Sequence, residues 1–453
     1  MSDIIVALST PPGVGAIHVI RLSGRGSFLL AEKVINKKIP PHGVMRLANI
    51  YDDEGDIIDK ALIVAFYSPR SYTGEDMVEF HIHGNPVIAS ALISRLISMG
   101  ARLAEPGEFT KRALLSGKMS LSQVEALHEV IYGKNIESIK AATRSAAGEY
   151  EREIKAIYDD ILSLASAMRA DVDYPEDVEL EEYGFDDRKK QFLEIMDDIL
   201  EKLTILYKRI EIGQKLARGY KIVLVGAPNV GKSSLLNALL GYERAIVSDI
   251  PGTTRDFVEA MHMIGHVPVS LVDVAGIRQT VDKVEKIGVD KAKQLAKEAD
   301  LLIWVVDGSK ALAEDDLRVW NEFGENIRLI AVNKIDMVND VEKALLQFKE
   351  YGPPVIGVSA KTGKGIDELV NSISDILGQH EHSPLYMSGR VMSHVHEALQ
   401  YMEEARNLVE TNMPEIASID IERAARHVGA ILGRADVSED VLDKLFSTFC
   451  VGK

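Results

Sequence analysis

The chain has 453 residues, a length that on its own suggests about three domains. Its 46% hydrophobic content suits domains that bury real cores, and a single cysteine, Cys450, excludes an internal disulfide. Asp plus Glu number 69 against 52 Lys plus Arg, leaving −17, so a nucleic acid is not attracted by net field and needs a local basic patch.

From Met1 the sequence shows no basic leader, and no apolar run approaches the roughly 18 residues of a membrane-spanning helix. The expectation is a soluble, cytoplasmic protein with no membrane partner. Residues 1–118 mix short apolar strands, Ala16–Leu22, Lys60–Phe66 and Met77–His83, with Pro/Gly/Asp-rich turns and one helix, Pro86–Met99. This pattern predicts a small α+β domain. His81 and His83 stand at H-x-H spacing; with no third ligand in view, two structural histidines on one strand face are favoured over a metal site.

Residues 119–216 change to helical apolar spacing, as in Ile154, Ile157, Ile161, Leu164 and Met168, broken by an acidic stretch from Asp171 to Glu182. Residues 217–378 then alternate strand and helix. The strand from Lys221 runs into Gly226-Ala-Pro-Asn-Val-Gly-Lys-Ser233, a G-x-x-x-x-G-K-S phosphate loop. Its two glycines let successive N–H groups face an anion, Lys232 reaches the outer phosphates, and the Ser233 hydroxyl suits Mg²⁺. Asn229, Val230, Gly231 and Ser234 complete the loop.

Four further segments follow in the order of a guanine-nucleotide switch. Pro251-Gly252-Thr253-Thr254-Arg-Asp offers Thr254 to Mg²⁺ and the γ-phosphate. Asp273-Val274-Ala275-Gly276 ends an apolar strand, with Asp273 toward the metal's water shell and the Gly276 N–H toward the γ-phosphate. Asn333-Lys334-Ile-Asp336 and Ser359-Ala360-Lys361 each end a strand. A carboxylate such as Asp336 accepts from the N1–H and 2-amino group of guanine, which adenine cannot match, so the nucleotide read here is GTP. Ile277 stands where related switches carry the Gln that orients water, so another group must position the nucleophile.

Residues 379–453 return to helix: Val391–Glu410, Ile416–Leu432 and Ser438–Thr448. A helical run on each side of an α/β segment predicts an inserted domain. The whole is read as a multidomain α/β and α protein: an N-terminal α+β domain (1–118), a helical domain in two parts (119–216 and 379–453), and an inserted Ras-like doubly wound α/β G domain (217–378).

Phe449-Cys-Val-Gly-Lys453, Thr73-Gly-Glu-Asp76, His83-Gly84 and Pro106-Gly-Glu-Phe-Thr110, with the G motifs inside a helical frame, resemble the MnmE/TrmE family of tRNA-modification GTPases from end to end. The resemblance implies an N-terminal folate-binding domain that forms a homodimer. It also implies an FAD-dependent partner, MnmG, in a heterotetramer that installs an aminomethyl or carboxymethylaminomethyl group at C5 of the wobble uridine of certain tRNAs. The one-carbon unit is then expected from a 5-formyl- or 5,10-methylene-tetrahydrofolate. Matching positions give Arg21, Glu79, Lys118 and Lys453 to folate; as plain residues, Arg21 and Glu79 are equally solvated edge charges.

By the same resemblance a K⁺ ion is held by Asn229, Ser248, Ile250 and Thr253, in a loop that includes Asp249, Pro251 and Gly252. Glu285 then reaches the attacking water through a bridge, with Lys232 as the second catalytic group; taken alone, Glu285 is a solvated charge at a helix start. Cys450 reads either as a buried small hydrophobe in the last helical turn or as a thiol that attacks C6 of the uridine. Two rival functions stand beside this one. A ribosome-assembly GTPase of the Era/Der type should carry an RNA-binding module, and none is evident after Leu377; the other rival is a regulatory folate sensor.

Overall fold

The computed structural model describes residues 3–173, 185–242, 261–273, 294–379, 382–434 and 439–452. Compactness divides the chain into two units, one of residues 1–128, 145–204 and 388–453, the other of 129–144 and 205–387. The second is inserted in the chain of the first; residues 129–144 and 205–216, expected with the helical domain, cluster with it.

The first unit opens with a six-stranded sheet of order β3-β4-β5-β2-β1-β6. Its strands are β1 (Ile5–Leu8), β2 (Ile17–Ser23), β3 (Met45–Tyr51), β4 (Ile57–Phe66), β5 (Met77–His83) and β6 (Arg102–Leu103). Alternation sends Ile20, Leu22, Ile50, Ile63, Val78, Phe80 and Ile82 to one face, where helices α1 (Ser27–Ile35) and α2 (Pro86–Ser98) cover them with Leu30, Val34, Leu92 and Leu96. Burying one such leucine is worth about 2 kcal/mol. Helix α2 starts at Pro86 because the Asn85 Oδ1 accepts the Val87 N–H at 2.8 Å and Pro fits the first helical position.

The opposite face carries Arg21, Glu79, His81 and Leu62. Helix α3 (Glu108–Leu115) brings Phe109 to its Ile5–Ala7 edge. The single helix expected here is therefore corrected to three. Helix α1 escaped notice because its capping residue, Gly26, comes only three residues after β2 ends, and β6 has only two residues to show a period.

The helical part of the first unit includes α6 (Glu151–Asp173), which follows α4 (Leu121–Tyr132) and α5 (Ile136–Ala146), and the start of α7 (Phe185–Arg218). Ile154, Ile157, Ile161, Leu164 and Met168 of α6 are all buried, on the face read from their spacing. Helix α6 packs on a later helix, Pro414–Ile431, where Gly429 permits the approach: a Cβ there would lie 3.0 Å from the Tyr158 ring.

The second unit holds a sheet of order β12-β11-β10-β7-β9-β8. Strands β7 (Tyr220–Val225), β9 (Val267–Asp273), β10 (Leu301–Asp307), β11 (Ile327–Asn333) and β12 (Val355–Gly357) are parallel, and β8 (Met261–Ile264) forms an antiparallel hairpin with β9. Helices α8 (Lys232–Tyr242), α9 (Glu314–Phe323), α10 (Val341–Leu346) and α11 (Ile366–Gly378) complete it. Leu224, Ile303 and Leu329 face one core with Leu235 and Leu369, whereas Val223, Trp304 and Ile330 face another with Phe348. Burial on both faces explains the unbroken apolar run Leu301–Val306. The fold is a doubly wound α/β domain, and beyond it come α12 (Gly389–Glu410), α13 (Pro414–Ile431) and α14 (Glu439–Phe446).

Candidate nucleotide-binding site and the tail-closed N-terminal sheet

The nucleotide motifs gather at the carboxyl ends of the parallel strands, where ligands bind in doubly wound sheets: the phosphate loop follows β7, Asp273 ends β9, Asn333 ends β11, and Ser359 follows β12. Gly226 has φ 156°, and a Cβ on it would lie 2.2 Å from the Val305 carbonyl oxygen. Gly231 has φ 96°, with the Asn333 Nδ2 only 2.3 Å from an added Cβ. Both positions therefore require glycine. Asn229 takes φ 63°, a left-handed conformation asparagine tolerates. Lys232 Nζ donates to the loop's own carbonyls of Gly226 and Ala227 at 2.9 and 2.8 Å, so the ammonium already sits inside the ring of backbone. Ser233 and Ser234 are exposed on the first turn of α8, where a hydroxyl suits Mg²⁺, and Val230 is buried beneath.

The two loops expected to read guanine are bound to the phosphate loop by one buried side chain. Asn333 Nδ2 donates to the Val230 carbonyl at 2.9 Å, while its Oδ1 accepts from the N–H groups of Lys334 (2.8 Å) and Ala360 (3.1 Å). Lys334, at φ 64°, reaches back to the Asn229 carbonyl at 2.8 Å. Ser359 is buried and donates through Oγ to Asp336 Oδ1 at 2.7 Å, which aims the exposed Asp336 carboxylate. Lys361 is exposed beside it.

Sequence reading missed Asp307, at the end of β10. Its Oδ2 accepts from Lys334 Nζ at 2.6 Å; burial acts to raise its pKa, but hydrogen bonds from Lys334 and Ser309 outweigh that and hold it below the usual carboxylate range. The clue was the polar Asp-Gly-Ser turn closing the apolar strand. Ser248, Asp249, Ile250, Pro251, Gly252, Thr253, Thr254, Val274, Ala275, Gly276, Glu285 and Lys453 lie outside the described residues.

In the first unit, Arg21 of β2 stands directly opposite Glu79 of β5. Its Nε and Nη2 donate to Glu79 Oε1 at 3.0 and 2.8 Å, and the guanidinium lies 5.2 Å from the Tyr72 ring centroid and 5.6 Å from that of Phe109. Arg21 Nη1 also donates to the Gly452 carbonyl at 3.3 Å, as does Ser9 Oγ at 3.0 Å. The structure thus brings Arg21, Glu79 and the tail together, with Arg21 committed to Glu79 and the other Glu79 oxygen near His81 Nε2 at 3.4 Å. Lys118 is exposed after α3, its N–H on the Ala113 carbonyl. His83 Nδ1 lies 2.6 Å from Asp59 Oδ1, so both strand histidines stand beside carboxylates.

The Thr73-Gly-Glu-Asp76 and Pro106-Gly-Glu-Phe-Thr110 signatures build this corner. Ser23 Oγ meets Thr73 Oγ1 at 2.8 Å, and Arg112 bridges Glu75 at 2.9 Å and Glu108 at 2.9 Å. Arg102 also binds Glu108. Gly107, at φ 67°, lies against the Phe446 carbonyl, and Pro106 bridges Val451. The expectation of a buried Cys450 in a helical turn is corrected: α14 ends at Phe446, Cys450 is exposed, and Phe449 is the buried anchor. Phe449 anchors the tail, and the neighbouring Cys450 lies exposed.

Family models for the MnmE helical domain and the GTP-binding protein TrmE N-terminus match residues 121–450 and 4–118. A tRNA modification GTPase MnmE of Aquifex aeolicus is 41% identical over 100% of both chains. One of Acetivibrio thermocellus is 39% identical over 100% of this chain and 99% of that one. The G domain of the T. maritima FeoB iron transporter is 30% identical over 35% of this chain and 99% of that chain, with a TM-score of 0.26.

Proposed function

Because the chain belongs to the MnmE family of tRNA modification GTPases, we propose that its nucleotide cycle is K⁺-stimulated and serves, with an FAD-dependent MnmG partner, the C5 modification of wobble uridine. It is a GTP hydrolase acting in tRNA modification. The likeness runs through every region, so phosphate loop and tail-closed sheet belong to one machine, and this end-to-end match carries the reading.

Within the G domain, Lys232 and the loop amides bind the phosphates, and Asp336, aimed by Ser359, reads guanine. Ser233 and Thr254 would hold Mg²⁺; Asn229, Ser248, Ile250 and Thr253 would hold K⁺. When bound, these ions supply positive charge at the phosphates. The glycines whose Cβ atoms would fill the loop and the exposed Ser233 hydroxyl fit that assignment. Glu285 takes the place of the missing Gln in positioning water.

In the N-terminal domain the residues also fit a tetrahydrofolate, the donor of the one-carbon unit. Glu79 keeps one oxygen free of Arg21 to accept from a pterin's donor edge, Arg21 fixes that carboxylate and the tail, and Lys118 and Lys453 meet the glutamate carboxylates. The homodimer is assigned to the same domain, whose open sheet face exposes Ile17, Met45, Leu47 and Leu62. No described helix is long and apolar enough to cross a membrane, and the work is assigned to the cytoplasm.

The test is mass analysis of wobble uridine in tRNA from a strain lacking this chain. Loss of the C5 substituent, restored by the intact gene, is expected; normal uridine with a ribosome-assembly defect overturns the reading in favour of an Era/Der-type role.

A further inference from the structure

We propose that His394, Glu397 and His427 form a binding site for a zinc-class divalent cation on the helical part of the first unit. His394 and Glu397 lie one turn apart on α12, and His427 faces them from α13, which packs along α12. Their candidate ligand atoms all fall within 4.8 Å of one another. His394 Nδ1 is 3.2 Å from His427 Nδ1, and His427 Nδ1 is 2.8 Å from Glu397 Oε2. Ligands about 2.05 Å from a tetrahedral ion stand about 3.3 Å apart, so small side-chain movements open the triangle to a metal.

Hydrogen bonding within the trio accounts for one short approach at a time. If His427 Nδ1 carries the hydrogen and gives it to Glu397, it has none to point at His394. If His394 Nδ1 donates to His427 instead, the bare His427 nitrogen confronts a carboxylate oxygen. A cation at the centre satisfies all three lone pairs together, with each ring hydrogen moved to Nε2.

The surroundings hold the ligands in place. Ser393 Oγ donates to Glu397 Oε1 at 3.1 Å, which leaves Oε2 toward His427. Tyr401 stacks on the His427 ring at 5.6 Å and 19°, and Arg423, tied to Asp420 at 2.9 Å, lies over Tyr401. The nearby Arg390 has its charge matched by Glu125 at 2.9 Å. The His427 side chain is 25% exposed and that of Glu397 41%, so the site opens to solvent. Three protein ligands with an open side match sites that keep a position for water or another ligand, unlike closed four-ligand structural sites.

The full chain, stripped with chelator and dialysed, is titrated with Zn²⁺ against a fluorescent chelator and, separately, with Co²⁺ by visible absorption. One ion per chain is expected, with the intense Co²⁺ bands of four- or five-coordination. His394→Ala and His427→Ala should each weaken binding at least about tenfold, while His396→Asn on the same helix leaves it unchanged. Helical circular dichroism checks that the variants fold. The intact chain is decisive even if they do not: absence of a stoichiometric ion, or only the weak bands of hexaaqua-like Co²⁺, overturns the site, as does binding unchanged in folded variants.

Discussion

In the proposed reading Asp336 carries the choice of base, and its chemistry would make that choice reversible by one atom. Ser359 holds Oδ1, and the carboxylate faces outward to accept from the guanine edge. Asp336→Asn places a donor against two donors, so GTP affinity should fall about 10²-fold, the loss of roughly 3 kcal/mol of charge-assisted hydrogen bonding. Xanthosine triphosphate, whose C2 oxygen accepts, should gain affinity; a nucleotide-binding assay showing unchanged GTP affinity would remove Asp336 from the base pocket. Cys450 poses a separate residue-scale question, because the thiol is exposed beside a tail carbonyl bound by Gly107. Cys450→Ser should leave GTP hydrolysis and folate binding intact while abolishing uridine modification if the thiol attacks C6. Full modification by the mutant would eliminate that role.

At the scale of elements, the C-terminal strip from Phe449 to Gly452 closes one edge of the N-terminal sheet through Ser9, Arg21 and Gly107. Deleting Gly452 and Lys453 frees Arg21 Nη1 and should weaken binding of a formyl-tetrahydrofolate in calorimetry while hydrolysis stays near normal; undiminished affinity would place the tail elsewhere. The Arg102–Glu108–Arg112 cluster should make the domain acid-sensitive. Burial acts to raise the Glu108 pKa, but hydrogen bonds from Arg102, the Glu105 N–H and Arg112 leave it below its ordinary 4.5. Its stabilisation is therefore complete above that value and is lost as pH falls through the depressed folded pKa. Thermal melts should show stability dropping below pH 4.5, less steeply for Glu108→Gln; parallel curves would argue against the cluster.

The same elements show what a sequence exposes. The α6 stripe and the phosphate loop were legible because period and glycine spacing are local signals. The pairing of Arg21 with Glu79 was not, since 58 positions separate them and only strand register unites them. Asp307 was hidden for a related reason: its partner Lys334 arrives from the next strand over. Cys450 was misread because helical spacing continues past Phe446, whereas burial of Phe449 turns the chain.

At the scale of the whole molecule, the proposed K⁺ dependence would set this chain apart from switches that borrow an arginine. With Ile277 in the Gln position and Asn229 poised in the phosphate loop, exchanging K⁺ for Na⁺ at constant ionic strength should cut GTP turnover by about 10-fold or more. Equal rates in the two salts would discard the idea.

The threading of one unit into another also bears on how the chain is made. Synthesis delivers residues in order, so the buried face of α6, with Ile157, Ile161 and Leu164, leaves the ribosome long before α13, its packing partner, exists. Residues 174–413 must emerge first, and the G domain within them can complete its own sheet while α6 waits. A messenger cut short after the G domain therefore yields a product with a finished nucleotide pocket and an exposed apolar helix, a species for chaperones and proteases to remove.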